Sequence, residues 1–182
     1  MTADAPAVAP LAHRAADLAR AGGDGVGARE VPFLAQTDVR ADAGSSMPWP
    51  LPTEPNTVAA EGDRTVLWLG PDEWLVVGPQ GSGADTVAQL QAALGDAHAS
   101  VVDVSANRAV LELRGPGRHE LLAQGCSLDL HPRAWGPGRC AQTLLARVPV
   151  ILEERPDSTR LYTRPSFGDY IVDWLLDAIG GD

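Results

Sequence analysis

The chain has 182 residues, 45% of them hydrophobic, and a formal net charge of −10. That length and apolar share fit one domain with a real core, and the lack of an apolar run of about 18 residues excludes a membrane-crossing helix. All 14 basic residues are Arg, which excludes the Schiff-base and P-loop chemistry that needs Lys, and the acidic balance argues against nucleic acid or an anionic membrane as partner.

Residues 1–29 read as a tail that orders poorly unless a partner holds it. Leu11, Ala15 and Leu18 have the spacing of a short helix, which Gly22-Gly23 stops. The domain proper is expected over 30–182. Val31 to Arg40 reads as the first strand, with Val31, Phe33 and Ala35 on one side. Gly44 to Asn56 carries Pro48, Pro50, Pro52 and Pro55 around Trp49, so it is an ordered loop or a clamp against a neighbour. The apolar runs Val66–Leu69 and Trp74–Val77 flank Gly70-Pro71-Asp72-Glu73, the pattern of a β-hairpin whose strands are covered on both faces. Thr86 to Leu94 predicts an amphipathic helix closed by Gly95, and Ala99 to Val104 a strand ending in the turn Ser105-Ala106-Asn107.

Arg108 to Arg114 alternates. Ala109, Leu111 and Leu113 oppose Arg108, Val110, Glu112 and Arg114, which predicts a half-buried strand with one mostly polar face. Gly115-Pro116-Gly117 turns the chain into a short helix bearing Leu121 and Leu122, with Gly125 expected to end it in a left-handed conformation. Trp135 lies in a Pro/Gly loop. From Cys140 to Leu152 the apolar density returns, with Pro149 at a strand start or turn. Thr159 to Thr163 predicts a strand. A last helix follows, with Ser166 as cap, Asp169 as its capping-box partner, and an apolar stripe of Phe167, Tyr170, Ile171, Trp174, Leu175 and Ala178. Strands and helices do not alternate regularly, so the fold class is α+β with mixed or antiparallel sheets.

No constellation reaches the weight of an active site. Cys126, His131 and Cys140 lack paired metal-ligand spacing. Asp169, Asp173 and Asp177 share a helix face and read as a solvated acidic surface. Gly115-Pro116-Gly117 lacks the longer glycine pattern of a phosphate cradle, and Asp72-Glu73 is a turn composition. Ser82, in Gly81-Ser82-Gly83, is not in a nucleophile elbow. Trp49 and Trp135 are either buried loop anchors or contacts with another chain, whereas Trp68, Trp74 and Trp174 read as core. Two Cys imply no disulfide framework, and with no signal-peptide pattern the expected compartment is the cytoplasm.

Several blocks together resemble the gamma subunits of heterotetrameric sarcosine oxidases. They are Leu51-Pro52-Thr53-Glu54-Pro55-Asn56-Thr57, the run Leu67 to Val77, Val102-Asp103-Val104-Ser105 with Arg108, and Gly125 to Leu130. His131-Pro132-Arg133, Gly138 through Thr143, Arg147 to Val150, and Arg164 to Phe167 with Tyr170 and Asp173-Trp174-Leu175 continue the series. The resemblance implies a fold of two small lobes like the folate-binding domain of aminomethyltransferases. It implies no catalytic, cofactor-binding or metal residue on this chain. The assembly would demethylate sarcosine oxidatively to glycine, with tetrahydrofolate as one-carbon acceptor and peroxide as product. FAD, FMN, NAD, tetrahydrofolate and zinc would sit on companion alpha, beta and delta subunits, chiefly alpha being the contact. The alternatives are a stand-alone folate-binding aminomethyltransferase-like protein and a generic interaction domain. The related iron–sulfur maturation type carries Lys-Gly-Cys-Tyr, which Gly138-Arg139-Cys140-Ala141 does not match.

Overall fold

The architecture follows from where each strand finds apolar cover. The computed structural model describes residues 7–20 and 25–180. In chain order its elements are α1 (Ala15–Arg20), β1 (Gly27–Glu30), β2 (Ala35–Arg40), β3 (Val58–Glu61), β4 (Arg64–Gly70), β5 (Glu73–Gly78) and α2 (Gly83–Leu94). Then come β6 (Ser100–Asp103), β7 (Ala109–Arg114), α3 (Arg118–Ala123), β8 (Cys140–Leu145), β9 (Val148–Glu154), β10 (Ser158–Thr163) and α4 (Gly168–Gly180).

The strands form two five-stranded sheets, ordered β1-β7-β10-β9-β8 and β3-β4-β5-β2-β6. Neighbouring strands in both sheets run antiparallel. Leu67, Leu69, Leu75 and Val77 of the second sheet meet Val110, Cys140, Ile151 and Tyr162 of the first in a shared inner core. The outer face of the first sheet, through Leu111, Leu113, Leu152 and Leu161, packs on α1, α3 and α4. The outer face of the second, through Val39, Val66, Trp74 and Val76, packs on Leu90 and Leu94 of α2. The order is therefore helix, sheet, sheet, helix, and the two lobes share one interior. This agrees with the α+β class read from the sequence.

The hairpin, the α2 helix with Gly95 at φ 54°, and β6 lie where the sequence places them. Pro149 is the second residue of β9 and pairs only with Leu144 of β8; β10 joins β9 from Val150 onward, so no ladder bond is missing. The Pro-rich segment is an ordered loop over the second sheet, with Trp74 Nε1 donating to the Pro52 carbonyl at 2.9 Å.

Five local expectations are corrected. The strand expected over Val31 to Arg40 is a crossing followed by β2. Val31 still donates to Val110 of the first sheet, but Pro32 has no donor and Phe33 takes φ 58°, so the chain leaves for the second sheet. Strand β7 is buried on both faces through Leu113, because Val110 enters the inner core and Glu112 is paired. Gly125 is not left-handed; a side chain there would put its Cβ 2.6 Å from the Trp174 ring. Ser166 makes no cap, since Pro165–Phe167 is a 3-10 turn and Asp169 is bound elsewhere. The stripe of α4 keeps Ile171, Trp174, Leu175 and Ala178 against the core and adds Gly168 and Val172, leaving Phe167 and Tyr170 exposed.

That last rotation has a cause in the N-terminal arm. Leu11 is buried against Gly168, and a side chain at Gly168 would place its Cβ 2.6 Å from Leu11 Cδ2. The Leu11 N–H donates to Glu30 Oε1 at 3.0 Å. Arg14 binds Asp17, Asp169 and Asp173, and His13 contacts Asp169. Residues 7–20 and 25–29, read from sequence as tail, thus hold α1 and the start of β1, which pairs with β7. The remainder of that expectation, at 1–6 and 21–24, lies outside the described residues.

Leu11→Ala is expected to lower stability by about 2–5 kcal/mol, the range for emptying a fully buried Leu site. Urea unfolding should show the midpoint move at unchanged slope. An unchanged midpoint would mean the arm is not part of the core.

Candidate functional site

Carboxylates stand out first, because three of them are buried. Glu112 on β7 and Glu153 on β9 lie on the inner face of the first sheet, and Arg160 on β10 is in register between them. Arg29 on β1 is the register partner of Glu112 on the other side. The result is a row across four strands of alternating sign. Glu112 Oε2 accepts from Arg29 Nε at 2.9 Å and Nη2 at 2.5 Å, and from Arg114 Nε at 2.8 Å. Arg160 lies 3.8 Å from Glu112 Oε1 and 4.0 Å from Glu153 Oε2. Glu153 Oε1 accepts from Arg155 Nη1 at 2.7 Å, and its Oε2 accepts from the Tyr162 hydroxyl.

Burial alone raises a carboxyl pKa. At Glu112 the hydrogen bonds from Arg114 and Arg29 outweigh it and hold the group below the usual Glu range. Burial, and then the neighbouring Glu153, push the Tyr162 hydroxyl well above the usual Tyr value. A buried ion pair seldom adds net stability, but removing one partner strands a charge and is costly.

Glu154 points to the opposite, helix-covered face. Its Oε1 accepts from Arg118 Nη2 at 2.6 Å and faces His119 Nε2 at 3.0 Å. Its Oε2 accepts from Trp135 Nε1 at 3.0 Å and Thr159 Oγ1 at 2.5 Å. Trp135 is thereby a buried loop anchor. Trp49 is half-buried, with Arg64 5.1 Å from its ring centre. Trp74 is in the core, while Trp68 and Trp174 pack at core edges.

The cysteines are separate. Cys140 is buried in the inner core with its thiol toward the carbonyls of Thr57 and Trp68, and Cys126 lies beside Thr143. Burial pushes the Cys140 thiol up to about 12. Among the described residues no group of three His, Cys, Asp or Glu could hold a metal. Asp169 and Asp173 engage Arg14. Gly115, at φ 109°, is a steric necessity: a Cβ would sit 1.6 Å from the Gly25 carbonyl oxygen. Ser82 Oγ donates to the Pro79 carbonyl and so closes a turn. Asp72 and Glu73 pair with Arg40.

One cleft of about 500 Å3 opens beside the crossing at Pro32–Leu34 and is lined by Val31, Phe33, Gln36, Arg108 and Val110 among others. Burial lowers the Arg108 pKa from its ordinary value. Sequence reasoning missed the row of Arg29, Glu112, Arg160 and Glu153. The available signal was charge inside apolar strands, as in Val150-Ile151-Leu152-Glu153-Glu154 and Thr159-Arg160-Leu161-Tyr162.

The paired sheets define a fold of the aminomethyltransferase kind. Aminomethyltransferase T of the glycine cleavage system from Bartonella henselae superposes with a TM-score of 0.64 over 88% of this chain and 48% of its own, at 12% identity, a likeness of fold alone. The family model "Sarcosine oxidase, gamma subunit family" matches residues 35–181. Sarcosine oxidase subunits gamma of Corynebacterium sp. strain P-1 and of an Arthrobacter species are each 41% identical over 181 residues, 93% of this chain and 88% of theirs. A chain of the heterotetrameric sarcosine oxidase from Corynebacterium sp. U-96, solved with pyrrole 2-carboxylate, gives a TM-score of 0.89 at 38% identity over 95% of this chain and 94% of its own. The chain belongs to the sarcosine oxidase gamma subunit family.

Two outcomes follow from the row and the thiol. A carboxyl whose folded pKa is depressed stabilises the fold above its unfolded value, about 4.3 for Glu, and loses that contribution as pH falls through the folded value. Glu112→Gln is therefore expected to destabilise at pH 7 and to flatten the fall in stability below about pH 4.3. Melting curves from pH 3 to 7 check both, and a parallel fall in the variant would reject the assignment. A thiol-disulfide reagent at pH 8 should leave Cys140 unmodified in the native chain and label it in urea.

Proposed function

We propose that this chain is the non-catalytic gamma subunit of a heterotetrameric sarcosine oxidase and serves its assembly. The carrying observation is extent: gamma subunits of such enzymes match over 93% of the chain, and a chain of one solved assembly superposes over 95% of it. The interior supports the non-catalytic part. Glu112, Glu153 and Glu154 are each spent on Arg, Tyr, Thr or Trp donors of the same chain. A general base must instead reach a substrate proton at about 2.6–3.2 Å.

In this reading the alpha, beta and delta subunits carry FAD, FMN, NAD, the folate site and zinc, and alpha is the main contact. The assembly, in the cytoplasm, oxidises sarcosine to glycine, hands the one-carbon unit to tetrahydrofolate and releases hydrogen peroxide. No helix among the described residues is long and apolar enough to cross a membrane.

Co-expression with the three companion chains is expected to give one complex with sarcosine-dependent peroxide release. The isolated chain should show no turnover, and calorimetry should detect neither flavin nor reduced-folate binding. Micromolar folate binding by the lone chain would favour a stand-alone folate-binding protein. Turnover of sarcosine by it would end the non-catalytic reading.

A further inference from the structure

The row of charges has an exposed outer edge. Its carboxylates are sealed, with Glu112 and Glu153 side chains 3% and 2% exposed. The guanidiniums that seal them are not: Arg29 is 57% exposed, Arg114 59% and Arg155 32%. With Arg160, four guanidiniums face two carboxylates, in a chain whose net charge is −10. This is a local excess of positive charge on an acidic molecule.

Each exposed guanidinium also keeps donors in hand. A guanidinium has five N–H groups. Arg29 uses Nε and Nη2, Arg114 uses Nε, and Arg155 uses Nη1, in each case on a carboxylate of the row. Among the described residues no second carboxylate pairs with any of the three. The buried carboxylates fix the near side of each fork, so the outward side is already oriented and loses little rotamer freedom on binding. Beside Arg29, Glu112 and Arg114 lies a hollow of about 210 Å3 that also takes in Leu18, Ala19 and Ala28. It opens at β1, which is an edge strand.

We propose that this edge, Arg29, Arg114 and Arg155, docks an acidic segment of a partner polypeptide. The spacing fits one. Arg29 and Arg114 are one strand step apart and two residues apart in register, about 8 Å, and Arg155 lies two strand steps beyond Arg114, about 10 Å. Carboxylates at alternate positions of an extended chain recur about every 6.8 Å, within side-chain reach of both intervals. The hollow at β1 accepts an apolar side chain next to the acidic run. Planar two-point pairing of Arg with carboxylate gives such a contact direction as well as attraction. Phosphates offer similar chemistry, but the overall negative charge repels a polyanion at long range, whereas a short acidic segment meets only the local field. The proposal rests on the assembly described above only in assigning the segment to a companion subunit.

The experiment exploits the absence of Lys. In the wild-type chain the N-terminus is the sole amine, so Arg114→Lys places one amine at the proposed contact. Arg40→Lys places one on the second sheet as a control. In the co-expressed complex, carbodiimide should join the Arg114→Lys chain, but not the Arg40→Lys or wild-type chain, to an Asp or Glu of a companion. A complex that forms without that link overturns the proposal. A second arm uses the full chain alone with a decapeptide bearing three Glu at alternate positions. Arg114→Gln should weaken binding about two- to fivefold at low salt, measured well below the variant's own melting transition so that the folded chain is compared. Equal binding by wild type and variant, or tighter binding of a thymidine decanucleotide, also overturns it. If no complex forms but the decapeptide binds as expected, the assembly reading fails and this surface stands.

Discussion

A sheet can be buried on both faces only if whatever charge it carries is matched inside. The first sheet depends on that condition. Its helix-side face is apolar except for Glu154 and a few threonines, and Glu154 is surrounded by Arg118, His119, Trp135 and Thr159. Its inner face is half apolar core and half an alternating row of Arg and Glu. Antiparallel register makes the row possible, because it sets Arg29, Glu112, Arg160 and Glu153 side by side on neighbouring strands. A slip of one residue would turn every member to the helix side. The ionic row therefore specifies register as much as it adds stability, in keeping with the modest net worth of buried pairs.

Much of this fold was legible in the sequence, for identifiable reasons. Continuous apolar runs around Trp68 and Trp74 announced a hairpin covered on both faces, and 3.6-residue spacing announced α2 and α4. What local pattern could not show was the identity of the cover. The polar-looking face of Arg108 to Arg114 is buried because partners arrive from strands up to 83 residues away. The stripe of α4 is rotated because Leu11, from the other end of the chain, takes the place next to Gly168. Gly125 was read as a left-handed helix end, whereas the space beside it is taken by the Trp174 ring and its φ is not positive.

The same distinction applies to the site. The sequence carries no paired metal-ligand spacing, nucleophile elbow or phosphate-binding glycine pattern, and Ser82, Cys140, Asp72, Glu73, Asp169 and Asp173 each have a partner in the same chain. The charged row escaped notice because its members are single residues in four strands, with no short-range signature. The resemblance to a family was carried by blocks spread along the chain, each weak by itself.

The N-terminal arm and the last helix hold each other through Leu11, Arg14 and the aspartates of α4. During synthesis the arm emerges first and waits for a partner made some 150 residues later. Until then Leu11 and Leu18 have no α4 to cover them, so the helical layer over the first sheet can close only once α4 has been made. The arm and the last helix are thereby committed to a single late event, and removing either one releases the other.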